Sequence, residues 1–151
     1  MKMERRAQRS VYTMNYVRLQ AWVLAVVGLV ELFAFGAAVM PRGWMESGYG
    51  WVGIREMPTD PVSESAMRQV SFSYGLHGVG LLLIATDVVR YRPLVILSAL
   101  GYLTFGVVFL FSDIAVGMPR MWVAGNAGSA GLVGVILLGL LWGESRSEAR
   151  L

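Results

Sequence analysis

The chain has 151 residues, 56% hydrophobic and 15% charged, with a formal net charge of +3, a mean hydropathy of +0.56 and a pI near 9.6. That balance leaves too little polar surface for an ordinary water-soluble domain, and 18 Gly suits membrane helices, which use Gly more than soluble ones do. With no Cys and one His, the chain excludes disulfides, thiolate metal sites, iron–sulfur clusters, covalent c-type haem and a multi-His metal cage.

The basic residues hug the ends of apolar stretches instead of forming a patch. They fit membrane topology and anionic lipid headgroups, not nucleic acid. Met1–Arg18 is a basic tail, with Lys2, Arg5, Arg6, Arg9 and Arg18 against Glu4, and Val11–Val17 begins a helix at the membrane surface. Leu19–Met40 follows, with Glu31 as its one charge. At 1.5 Å rise per residue, about 20 apolar residues cross a bilayer core of about 30 Å, so this is the first span. It stops at Pro41. It is too long, and starts too late, for the apolar core of a signal peptide, and no small-residue cleavage site follows it.

Residues 41–69 form the long outer connection. Trp44, Tyr49 and Trp51 suit the headgroup region, and the weak alternation of Tyr49–Glu56 suggests a short strand or turn. Asp60 and Pro61 have the chemistry of a helix start, and Val62, Ala66 and Val70 recur at helical spacing, so the second helix begins outside the membrane. Residues 70–89 are the second span, with His77 inside. Arg90–Pro93 is a tight turn, 94–111 the third span, Ser112–Arg120 a short loop and 121–142 the fourth span. The expected fold is all-α: one domain, an up-down four-helix transmembrane bundle. Nine Lys or Arg (2, 5, 6, 9, 18, 90, 92, 146 and 150) lie on one side against four (42, 55, 68 and 120) on the other, which puts both termini in the cytoplasm.

Met40-Pro41-Arg42-Gly43-Trp44 and Met118-Pro119-Arg120-Met121-Trp122 share M-P-R-x-W. This is either a relic of helix-pair duplication or the common preference of Pro for helix ends and of Arg and Trp for the interface.

An ionisable side chain inside a bilayer costs several kcal/mol unless it is neutralised, paired or hydrated. By helical rise, Glu31 lies about 2 Å and His77 about 4 Å outward of their span centres, Tyr102 roughly at the middle, Ser129 roughly 4 Å outward and Asn126 one turn further. These five are the candidate ligand-binding residues, provided that they face inward. Ser73, His77, Gly80, Ile84 and Asp87 make one stripe, and Ser98, Tyr102, Phe105 and Phe109 another. Ala124, Ala127, Gly128, Gly131 and Gly134 give the fourth helix a small-residue face that admits a neighbouring backbone, and Gly28 stands one turn before Glu31. A Glu31–His77 pair either fastens two helices or forms a pocket for a proton, a quinone headgroup, or an aromatic or lipid-like molecule. A third reading makes His77 the axial ligand of a haem or chlorophyll-type pigment. Asp87 with Arg90, and Asp113 with Arg120, read as interface ion pairs or helix-end caps. No nucleophile–base–orienter set, phosphate-binding Gly loop or redox motif is present, so an enzyme would have to work through Glu31, His77 and Tyr102.

Tyr74-Gly75-Leu76-His77-Gly78-Val79-Gly80-Leu81, Asp87-Val88-Val89-Arg90-Tyr91-Arg92-Pro93-Leu94, and Gly117-Met118-Pro119 before Trp122 resemble the BphX-like group of small four-helix bacterial membrane proteins. That group is similar in turn to the DoxX-like proteins. The resemblance covers roughly residues 70–125. It implies a four-helix protein of the bacterial inner membrane, in a group whose founding members sit beside aromatic-degradation genes. DoxX-like proteins are linked to thiol or quinone redox partners, and this chain has no Cys for thiol chemistry. The expectation is an accessory subunit or partner in a larger membrane assembly, of other chains or copies of itself. The alternative is a binder or carrier of a quinone or aromatic compound.

Overall fold

The computed structural model describes the backbone of residues 2–54 and 56–149 and the side chains of residues 14–54 and 56–147. The side chains of Lys2, Arg5, Arg6, Arg9, Arg55 and Arg150 lie outside the described residues. Every described element is helical: α1 (Lys2–Leu32), α2 (Ala34–Val39), α3 (Arg42–Trp51), α4 (Pro61–Thr86), α5 (Arg92–Ala115), α6 (Arg120–Val123), a π-helical turn (Ala124–Gly128) and α7 (Ser129–Ala149). Three stretches, Met14–Val39, Arg92–Ala115 and Arg120–Ser147, are long and apolar enough to cross a bilayer. α4 has the length, 26 residues, but its early turns carry Glu64, Arg68 and Gln69.

Local chemistry explains where the helices start and stop. Asp60 is extended and accepts the Ser63 N–H at 2.8 Å, with Pro61 opening α4. Pro41 and Pro119, the prolines of the shared M-P-R-x-W, adopt nearly the same conformation (φ −57°, ψ 142° and 144°), and each precedes the first residue of a helix. Among the described residues of Tyr49–Glu56 no strand forms. Tyr49 to Trp51 are the last residues of α3, and Gly53, at φ 87°, follows its end, with Gly53 N–H bonded to Gly50 O and Ile54 N–H to Tyr49 O. Gly117, at φ 72°, ends α5 in the same way, with Met118 N–H bonded to Asp113 O. The first apolar stretch is broken at Phe33, where i to i+3 bonds from Phe33 N to Val30 O and from Gly36 N to Phe33 O tighten the turn. The last helix runs two turns beyond the expected Trp142, which brings Glu144 into it.

α1 packs between α4 and α7, and α7 packs on α5; α4 and α5 do not pack along their lengths. Glycine sets these approaches. A Cβ on Gly106 would lie 2.7 Å from the Gly131 backbone, and one on Gly134 2.6 Å from Leu103 N. At the end where α1 begins and α7 finishes, the bundle is solid, with Leu24, Leu81, Val95, Ala99 and Leu137 almost wholly buried. A polar knot lies near that end. Buried Glu144 accepts from Gln20 Nε2 at 3.0 Å and from Arg92 Nη1 at 2.6 Å, tying α1, α5 and α7 together. The end covered by α3 is hollow.

Candidate functional site

Between α1, α4, α5 and α7 lies a cavity of about 770 Å³, within the usual size range of small-molecule sites. Its walls are apolar and aromatic: Val27 and Val30 from α1, Met67 and Val70 from α4, Phe105 and Phe109 from α5, Ala130 and Val133 from α7. α4 and α5 stay apart beside it, and Val26 and Val30 from α1, Val70 from α4 and Phe105 from α5, all in its lining, are each about half exposed or more.

The floor is built around Glu31, whose side chain is only 12% exposed. Tyr102 Oη donates to Glu31 Oε1, and His77 Nδ1 lies 2.7 Å from Oε2. Both carboxyl oxygens of Glu31 are thus engaged, one by the Tyr102 hydroxyl and the other by the His77 ring. The second ring nitrogen of His77, Nε2, has no partner among the described residues, and this side chain is 44% exposed. The rings of His77 and Tyr102 stand 5.8 Å apart, so this triad bridges α4 and α5 across the foot of the gap. Tyr74, three residues before His77, also lines the cavity, and its hydroxyl has no protein partner among the described residues.

Eleven residues further along α5, about 16 Å by helical rise, Asp113 forms the other polar end. It is 8% exposed, and its Oδ2 accepts from Asn126 Nδ2 at 3.0 Å. Asn126 sits in the π-helical turn, a geometry that often marks functional positions. Ser129 donates to Asn126 O at 3.3 Å and lines the cavity as well. α3 closes this end. Tyr49 stacks on Trp122 with ring centroids 5.7 Å apart, and its hydroxyl donates to Met67 Sδ at 3.5 Å. The Trp122 indole N–H is buried and has no partner among the described residues. α3 is pinned by Arg42, which bonds Glu46 at 2.8 Å, Glu64 at 3.0 Å and Pro58 O at 3.0 Å. Arg68 holds Glu64 and also donates to the carbonyls of Ala38 and Met40. The bond from Arg68, followed by that from Arg42, holds the Glu64 carboxyl below its ordinary pKa, and the bond from Ser63 does the same for Asp60.

Glu31, Tyr102, Asn126 and Ser129 all line one cavity, and His77 adjoins it through Glu31. They do not form one cluster: Asn126 and Ser129 belong to the Asp113 end. Asp113 does not pair with Arg120. The amide of Asn126 faces it instead, and Arg120 is exposed at the start of α6 without an ion pair among the described residues. Asp87 Oδ1 accepts the backbone N–H of Arg90 at 3.0 Å, an end cap, while the Arg90 guanidinium lies over the Tyr91 ring. The role of Asp113 in the cavity was readable in the sequence, because 98, 102, 105, 109 and 113 continue one helical stripe. Tyr49 and Trp122 carried no comparable signal, since their contact joins residues far apart in the chain.

The chain matches no protein-family model, no curated protein and no solved structure.

Proposed function

We propose that this chain is a four-helix protein of the bacterial inner membrane that takes a hydrophobic small molecule from the bilayer and holds it between its helices. The carrying observation is the cavity, hollow and lined with aromatic residues, beside which α4 and α5 stay apart. A lateral gap between helices at bilayer depth admits molecules dissolved in lipid, and polar groups at both ends fix their orientation. Quinones and aromatic compounds belong to this class. α4 crosses beside α1 in this reading. It is as long as its neighbours, packs against α1 through Gly78, and turns its ionisable His77 to Glu31. The excess of Lys and Arg in the tails and the Arg90–Pro93 turn supports a cytoplasmic side for both termini. The resemblance to BphX-like proteins supports the same architecture. An accessory-subunit role would draw only on the lipid-facing helix surfaces, which every membrane bundle has, so the cavity favours binding.

The test is mass spectrometry of the protein extracted in mild detergent. A bound small molecule should be found at near-stoichiometric amount and be lost in Glu31→Ala and in Ala66→Trp, which narrows the cavity. Stoichiometric partner chains with no bound molecule would favour the accessory role instead.

A further inference from the structure

Among the described residues the walls of the cavity carry two acidic side chains, Glu31 and Asp113, and no Lys or Arg. Both oxygens of Glu31 are engaged by Tyr102 and His77. Asp113 is more than nine-tenths buried, has one neutral amide partner, and meets no cation within salt-bridge distance among the described residues. A carboxylate in so apolar a setting is stabilised chiefly by an opposite charge brought to it. Aromatic residues line the space between the two acids: Tyr74, Phe105, Phe109 and Trp122, with the parallel rings of Phe105 and Phe109 stacked 5.5 Å apart. Aromatic faces attract cations through their negative quadrupole, more strongly when water is excluded.

From this we infer that the ligand is a lipophilic organic cation, an amine, quaternary ammonium or phosphonium with apolar rings or chains, whose charge sits at the Asp113 end. This deepens the proposed function and rests on the cavity being a ligand site. The same negative field disfavours organic anions and gives a neutral molecule no advantage.

The test compares tetraphenylphosphonium and tetraphenylborate, ions of nearly equal size and opposite charge, by equilibrium dialysis against the purified full chain, with empty micelles as the blank. A neutral naphthoquinone is the third probe. The phosphonium should bind at least tenfold more tightly than the borate, and Asp113→Asn should weaken it about tenfold while leaving the borate unchanged or improved. The comparison on the unaltered protein needs no variant to fold. Equal binding of the two ions, or an unchanged preference in Asp113→Asn, overturns the inference. Naphthoquinone binding as tightly as the phosphonium overturns it while leaving the proposed function standing. Failure of all three probes to bind overturns both.

Discussion

Gly28 and Gly78 face each other backbone to backbone. A Cβ on Gly28 would stand 2.9 Å from the carbonyl oxygen of Gly78, and one on Gly78 2.7 Å from the carbonyl oxygen of Gly28. This reciprocal contact lets α1 and α4 approach closely enough for Glu31, one turn on from Gly28, to reach His77, the residue before Gly78. Gly78→Ala should therefore push the helices apart and destabilise the fold by about 1–3 kcal/mol, the usual cost of overpacking. The check is thermal unfolding in detergent, with the NMR signals of the single His reporting loss of its bond to Glu31.

Tyr102→Phe removes one donor from Glu31 and leaves the ring in place. Hydrogen bonds between membrane helices contribute modestly, so the expected loss is about 1 kcal/mol. Because both donors act on one carboxylate, the double variant with His77→Ala should cost more than the sum of the singles. Additive losses in that cycle would argue against a shared site.

Glu144→Ala should cost about 2–4 kcal/mol, because it strands the amide of Gln20, which is 1% exposed. Arg92→Ala should cost less, since Arg92 is 37% exposed and water can replace part of its contact. Equilibrium unfolding in mixed micelles ranks the two, and the reverse order would show that the ion pair, not the buried amide, dominates.

The attachment of α3 should weaken in acid. Folding lowers the pKa of Glu64, chiefly through its bond to Arg68, and that of Asp60, chiefly through its bond to Ser63. A lowered carboxylate contributes stability above its unfolded pKa and loses it as pH falls through the folded value, so the window lies below about pH 4. Protection factors across residues 42–51, with the intrinsic pH dependence of amide exchange divided out, should fall in that window and stay level from neutral pH down to its edge. Glu64→Gln should give fast exchange already at neutral pH.

How much of this was legible beforehand depended on the range of the interaction. The start of α4 at Asp60-Pro61 could be read because capping is settled within four residues. Gly53 was a harder case. A Gly-rich stretch with weak alternation resembles a strand or turn, and only the left-handed φ of 87° shows that it ends a helix. Depth along each helix brought Glu31, His77 and Tyr102 to one level, but it could not show that the Asn126 amide turns to Asp113 and the Ser129 hydroxyl to the Asn126 carbonyl. The burial of Glu144 was missed because a short charged tail reads as solvated until Gln20 and Arg92 are seen around it.

By itself the sequence determined that the chain is helical and that an acid stands inside its first apolar stretch; it led to an expectation of four spans, and three stretches are long and apolar enough as helices to cross a bilayer. Rise per residue and apolar run length decide these things, and both are local. Only the tertiary structure decided that α4 and α5, adjacent in the chain, stand apart while α1 and α7 close the other side. That choice follows from where glycine lets backbones touch, at Gly28 with Gly78 and Gly106 with Gly131. The hollow between Glu31 and Asp113 lies beside α4 and α5, which no such glycine contact joins.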